Sequence, residues 1–213
     1  MKRKNIPSIT INRLSIYHRC LEKILETETE KEEEFKIISS FKIAEMSGIN
    51  SAQIRKDLAY FGEFGKRGIG YPLIDLSREL KKILGLDKKW SVIIAGAGNL
   101  GKALAKYKGF QKRGFVIKGI FDNNPLKIGK KLDHIFIYDI KEIEKISQAE
   151  NINIGILVVP ADSAQEVADK MVAGGIKAIL NFAPVHIVLP PETKVHNVDL
   201  SIEFEGLTYY LIS

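Results

Sequence analysis

Trp90-Ser91-Val92-Ile93-Ile94-Ala95-Gly96-Ala97-Gly98-Asn99-Leu100-Gly101 decides the fold. Its first half is an apolar run of strand length with β-branched Val92, Ile93 and Ile94, the pattern of a buried strand. A G-x-G-x-x-G turn follows at once, and residues 100–107 then carry a helical pattern. In that setting the first glycine permits a tight turn. The second lets the backbone approach a pyrophosphate, and the third lets helix and strand pack closely. The helix N-terminus then faces the anion. Gly96, Ala97, Gly98, Asn99, Leu100 and Gly101 are therefore candidate residues for holding a dinucleotide.

Downstream, strands alternate with helices. Strands are expected at residues 115–121, 135–138, 154–159, 178–182 and 195–198, and helices at 139–150, 161–173 and 200–211. Such alternation predicts an α/β fold with a doubly wound parallel sheet. Asp122 stands at the end of the second strand, 21 residues after Gly101. An acid there accepts hydrogen bonds from the ribose hydroxyls of NAD and repels the 2′-phosphate of NADP. Asn123 and Asn124 follow it rather than arginine, which favours NAD, although Lys127, Lys130 and Lys131 are near in sequence. Loops after later strands should line the same crevice. Val159-Pro160 and the segment from Asn181 to Pro184 are the candidates, either facing the nicotinamide or acting as structural turns.

Upstream of residue 89 the patterns are helical. Leu14, Tyr17, Leu21, Ile24 and Leu25 place an amphipathic helix at residues 10–28. The acidic segment 26–34 reads as a loop or a frayed helix end. A short helix at 41–47, capped by Ser39 or Ser40, leads through a turn at Gly48 to a second at 51–61. This predicts a helix-turn-helix. Ile54, Leu58 and Phe61 form its inward face, while Gln53 and Lys56 lie opposite, with Arg55 on the flank. Gln suits adenine edges, Arg and Lys suit guanine or phosphate, and Ser51 can offer a hydroxyl and an N–H to phosphate. The glycine-dense stretch that follows places Lys66 and Arg67 beside Gly68, as at the tip of a two-stranded wing. A linking helix follows to about Leu84.

Charge agrees with that division. Residues 1–89 hold 18 Lys+Arg against 13 Asp+Glu, and the remainder 14 against 13. A basic half suits a polyanion such as double-stranded DNA. The lone Cys20 allows no intramolecular disulfide and no cysteine-rich metal site. No apolar run approaches the ~18 residues of a membrane span, and residues 1–5 lead into no signal core. A cytoplasmic protein without membrane or metal partners is expected. His18, His134, His186 and His196 pair with no acid at a suggestive spacing, and no catalytic constellation appears. Residues 90–213 suffice only for a dinucleotide domain, so catalysis is not expected. The alternatives are a small NAD-dependent oxidoreductase, or a CoA- or nucleotide-binding module of a larger enzyme.

The residues resemble the redox-sensing transcriptional repressor family Rex. The likeness rests on Ile11-Asn12-Arg13-Leu14 and on the run from Gln53 to Gly62 that contains Arg55-Lys56-Asp57-Leu58. It extends over the stretch from Gly65 to Tyr71, the Gly96–Gly101 turn, Gly174-Gly175-Ile176-Lys177, the stretch from Ile179 to Pro184, and Asn197-Val198-Asp199. The resemblance implies a winged-helix domain at 1–85, a Rossmann-like domain at 86–198, and a C-terminal helix at 199–213 exchanged within a homodimer. It implies binding of a palindromic operator while NAD⁺ dominates and release when NADH binds. NAD⁺ and NADH differ by a charge at the nicotinamide, so a nearby carboxylate would feel the change. Asp199, with Arg19 and Tyr107 as alternative partners, is the expected switch; the simpler reading is that Asp199 only caps its helix.

Overall fold

A computed structural model describes residues 6–27, 36–66 and 68–212. Most of the acidic segment, and Arg67, lie outside the described residues. The chain divides into two units, Met1–Lys88 and Lys89–Ser213.

In the first unit, helix α1 (Ser8–Leu25) buries Leu14, Tyr17 and Leu21, residues three and four apart on one face. Helix α2 (Ser40–Ser47) begins at Ser39, whose hydroxyl accepts the Lys42 N–H at 3.1 Å. Helix α3 (Ser51–Ala59) begins at Asn50, whose side chain accepts the Gln53 N–H at 2.8 Å. Both caps satisfy N–H groups that a helix start leaves unpaired. Helix α4 (Leu73–Ile83) closes the bundle. Leu14, Ile43, Ile54, Leu58, Leu76 and Leu80 meet in its core.

Strand β1 (Ile37–Ile38) pairs antiparallel with β2 (Tyr71–Pro72), and Lys66 bridges Gly70. The wing is therefore different from a hairpin contained in residues 61–71: its outer turn is local, but its second strand pairs with residues that precede α2. A two-residue strand has no periodicity to read, which is why β1 escapes the sequence.

The second unit is a seven-stranded sheet. It contains β3 (Trp90–Ala95), β4 (Phe115–Asp122), β5 (Lys131–Leu132), β6 (Ile135–Asp139), β7 (Ile154–Leu157), β8 (Ala178–Asn181) and β9 (Lys194–Asn197). The order is β5-β6-β4-β3-β7-β8-β9, and all pairs are parallel except β5 with β6. Among the parallel strands this is the Rossmann order, which reverses between β3 and β7. Val92 and Ile94 enter the core on one face, Ile93 and Ala95 that on the other, as the period of two requires. Both faces are buried, so the strand reads as a continuous apolar run.

Helices α5 (Asn99–Lys106), α6 (Lys108–Lys112), α7 (Ile143–Ala149) and α8 (Ala161–Ala173) connect the strands, and a 3₁₀ turn at Ile140–Glu142 precedes α7. Helix α9 (Leu200–Ile212) buries none of its residues within this chain.

Candidate functional site

The parallel strands bring the ends of β3, β4, β7 and β8 to one edge of the sheet. Gly96 leaves β3 at the reversal point with φ +107°, and a Cβ there would run into the Val158 carbonyl oxygen. Only glycine tolerates both conditions. A Cβ on Gly101 would strike the Gly96 carbonyl, whereas one on Gly98 would meet nothing within 4 Å. Two glycines thus close the turn, and the middle one leaves open space above the start of α5. That is the division of roles a pyrophosphate site requires. Asn99 and Leu100 are exposed beside it.

Asp122 is buried at the end of β4, 6% exposed. Its Oδ2 accepts the Ala97 N–H at 2.7 Å and the Lys127 ammonium at 3.0 Å; its Oδ1 accepts the Asn124 N–H at 2.9 Å. Burial alone would raise its pKa, but the Asn124 N–H, Lys127 and the Ala97 N–H outweigh it and hold the carboxyl below the usual range. The residues therefore fit a dinucleotide: an open turn, a helix start and an ionised carboxylate stand at one strand edge. Asn123 is exposed, Val159 is half-buried and Pro160 is exposed at the head of α8, all at that edge.

Asn181 requires a correction. Its amide is buried, donating to the carbonyls of Ala183 and Val185 and to Asn197 Oδ1, and accepting the Ala183 N–H. These bonds brace the loop leading to exposed Pro184 and tie it to β9. These partners favour the structural-turn reading of this loop.

In the first unit, Lys56 and Lys66 are exposed, Ser51 and Gln53 are half-buried, and Gly68 is exposed at the wing turn. Arg55 donates to Ser40 Oγ at 2.9 Å, joining α3 to the start of α2. An open groove of about 1010 Å³ lies between α3 and the wing, lined in part by Ser40, Arg55, Gly62, Lys66 and Tyr71. Hydroxyls, a guanidinium and an ammonium in one groove suit a phosphate backbone.

Asp57 is the residue that sequence reasoning missed. It is 0% exposed and accepts from Thr10, from Arg13 through both Nε and Nη2, from Tyr17 and from Gln53. Burial pushes its pKa up, but Arg13 first, then Tyr17 and Gln53, pull it down to about 2. The available signal was its position between Ile54 and Leu58 on the inward face of α3: a charged residue inside an apolar stripe must be paired.

Two family models match the chain: "Putative DNA-binding protein N-terminus" over residues 5–59 and "CoA binding domain" over residues 87–185. The redox-sensing transcriptional repressor Rex of Desulfitobacterium hafniense is 49% identical over 98% of this chain and 97% of its own length. That of Pelotomaculum thermopropionicum is also 49% identical, over 100% of this chain and 97% of its own. The chain belongs to the Rex family. Its members are named as transcriptional repressors rather than as enzymes.

Among solved Rex structures, RSP in complex with beta-NAD⁺ and operator DNA matches with a TM-score of 0.88 and 44% identity, covering 98% of this chain and 94% of that one. RSP in complex with beta-NADH matches at 0.84 and 41%, covering 98% and 95%. Both RSP structures support the Rex architecture for this chain, a DNA-binding N-terminal unit followed by a Rossmann-like sheet.

The expected switch residues belong to both units. Arg19 is exposed on α1, in the first unit. Tyr107 follows α5, 61% exposed and edge-on to Phe110 at 5.1 Å. Asp199 is exposed and accepts the Ser201 N–H at 2.9 Å, so it caps α9. Among the described residues no group of three or more His, Cys, Asp or Glu side chains can hold a metal, and no helix is long and apolar enough to cross a membrane.

Proposed function

We propose that this chain is a homodimeric Rex repressor of the cytoplasm that holds a palindromic operator while NAD⁺ dominates and lets it go when NADH is bound. The observation that carries this reading is the Ala97–Asp122 hydrogen bond. It sets an ionised carboxylate beside an open glycine turn, in a chain that also carries a helix-turn-helix with a basic wing.

The roles divide by unit. Residues 1–85 read DNA: Ser51, Lys56, Arg55, Lys66, Arg67 and the Gly68 backbone hold phosphate, and Gln53 meets a base edge. Residues 86–198 hold the dinucleotide. The turn from Gly96 to Gly101 takes the pyrophosphate, Asp122 and Asn123 take the adenosine ribose, and the Val159-Pro160 and Pro184 loops border the nicotinamide. When bound, NAD supplies a charge that differs between its oxidised and reduced forms. Asp199, Arg19 and Tyr107 carry the response to it.

Homodimerisation is supported by α9. Leu200, Phe204, Leu207 and Leu211 are each at least 60% exposed, on a helix that contacts no core of its own chain. An apolar helix in water is disfavoured, and exchange onto a second copy covers it. The test is fluorescence anisotropy of an operator duplex selected from a random pool, titrated with NADH and separately with NAD⁺. Release by NADH at concentrations where NAD⁺ leaves the complex intact is expected. Equal effects of both would remove the redox reading.

A further inference from the structure

Asp57 is fully enclosed and cannot itself touch DNA. Yet it holds a residue that is only half-buried on the same helix, since Gln53 Nε2 donates to Asp57 Oδ1 at 2.9 Å. A glutamine amide has two nearly isosteric flips. An ionised carboxylate can only accept, so only the flip that turns the nitrogen toward Asp57 is satisfied. Thr10, Arg13 and Tyr17, all from α1, fix that carboxylate through its other hydrogen bonds. The Gln53 backbone is fixed by the Asn50 cap. The amide is thereby locked at both ends, with Oε1 and the second N–H left for another partner.

A glutamine free to flip can meet either a donor or an acceptor on a base edge. A locked one presents its carbonyl oxygen at a set place. In the major groove only adenine, through its 6-amino group, and cytosine, through its 4-amino group, answer an acceptor with a donor. Guanine presents O6 and N7, both acceptors: it can take the second N–H, but it leaves the fixed Oε1 facing an acceptor without a donor, so it is the poorer match.

We propose that Asp57 is a positioning residue for operator reading: by locking the Gln53 amide in one flip, it makes position 53 select a base carrying an exocyclic amino group over guanine. This rests on the assignment of α3 as the reader helix in the proposed function.

The experiment uses the full chain and a series of operator duplexes with single base-pair substitutions. Wild type and Gln53→Ala are compared first, and the base pair whose sensitivity vanishes in Gln53→Ala is the one position 53 reads. The base there is expected to be adenine or cytosine. Replacing it with purine or 2-pyrimidinone, which lack the amino group, should weaken wild-type binding roughly five- to a hundredfold and leave Gln53→Ala within about twofold. Asp57→Asn should then lower the preference for that base over guanine by about fivefold or more when Gln53 is present, and leave it unchanged in the Gln53→Ala background. A guanine at that position, or an amino group removed without loss of affinity, overturns the proposal even if Asp57→Asn does not fold. So does an Asp57→Asn that weakens all duplexes equally and keeps the preference, the outcome of a purely structural role. If Gln53→Ala alters the sensitivity of no base pair, the reader-helix assignment fails instead, and the proposal with it.

Discussion

Lys127 Nζ lies 3.0 Å from Asp122 Oδ2, on the same oxygen that accepts the Ala97 N–H at 2.7 Å. Oδ2 thus already serves two donors. Oδ1, with the Asn124 N–H, has one site left. A ribose that uses both oxygens therefore competes with Lys127 for Oδ2. An ammonium displaced from Asp122 would remain within reach of this strand end, available to a 2′-phosphate. Of the three lysines near Asp122 in sequence, Lys127 is the one that pairs with it.

Asp122→Ala should weaken NADH binding by about 1.5–3 kcal/mol, the range for hydrogen bonds to a charged group, and narrow the preference for NADH over NADPH. Lys127→Met should widen that preference, because it removes the cation available to a 2′-phosphate. Calorimetric titration of both cofactors into each variant checks this. A preference ratio that stays at the wild-type value in both variants would remove the pair from the site.

The Asp57 cluster predicts an acid limb in stability. The carboxyl is depressed to about 2 in the folded chain. In the unfolded chain it titrates near the ordinary aspartate value of about 3.9. The contribution is thus present in full above that value and lost as pH falls through about 2. At about 1.36 kcal/mol per pKa unit it amounts to roughly 2–3 kcal/mol. Urea unfolding followed from pH 6 to about 2 should show this loss in the wild type. Asp57→Asn should be less stable at neutral pH and should show a flatter acid limb. Parallel limbs in the two proteins would assign the acid loss to other carboxylates.

Much of this architecture was legible. Helix α8 was readable from Ala161 to Ala173 because its apolar residues keep one period throughout, with Pro160 marking its start. The glycine turn was readable because each glycine has its own steric reason. Strands β1 and β5 were not, since two residues carry no period and are made strands only by their partners. The site was legible as backbone and less so as side chains. Asn181 sits at the correct strand end, but whether its amide faces a ligand or its own loop depends on Ala183, Val185 and Asn197, which only the fold brings to it. Asp57 was hidden for a similar reason. Apart from Gln53, its partners lie 40 or more residues away on α1.

Lys66→Ala should weaken binding to operator and random DNA alike. Removing one cation from a phosphate should flatten the plot of log affinity against log salt by about one unit. Arg67→Ala should act in the same way, whereas Gln53→Ala should leave the slope intact. Titrations at several salt concentrations separate these. A Lys66→Ala slope equal to that of the wild type would take the wing away from the phosphates.

Phe204→Asp with Leu207→Asp should separate the dimer. Both side chains are exposed on α9, at 68% and 60%, so within the chain there is little for the substitutions to disrupt. Across an interface, a buried aromatic anchor such as Phe204 contributes about 2 kcal/mol or more, and a charge at either position leaves an unpaired carboxylate there. Light scattering after size exclusion should find a monomer that keeps the circular dichroism of the Rossmann unit, with operator affinity lost. A dimer of wild-type affinity would place the interface elsewhere.

The proposed switch is tested by what Asp199 contributes beyond its cap. Asp199 accepts the Ser201 N–H at 2.9 Å, and asparagine caps helices about as well as aspartate. Asp199→Asn therefore keeps the cap and removes the charge, whereas Asp199→Ala removes both. A ligand can shift an equilibrium only through interactions that differ between the two states, and the oxidised and reduced nicotinamides differ chiefly in charge. If Asp199 carries the signal, Asp199→Asn should change the NADH concentration needed for half-release of the operator as much as Asp199→Ala does, and only the alanine should lower the cofactor-free melting temperature. Arg19→Ala and Tyr107→Phe should move the same release point with the melting temperature unchanged. If Asp199→Asn, Arg19→Ala and Tyr107→Phe all release DNA at the wild-type NADH concentration while Asp199→Ala does not, then Asp199 is only a cap. The coupling must then run through the packing of α9, where no single charge is required.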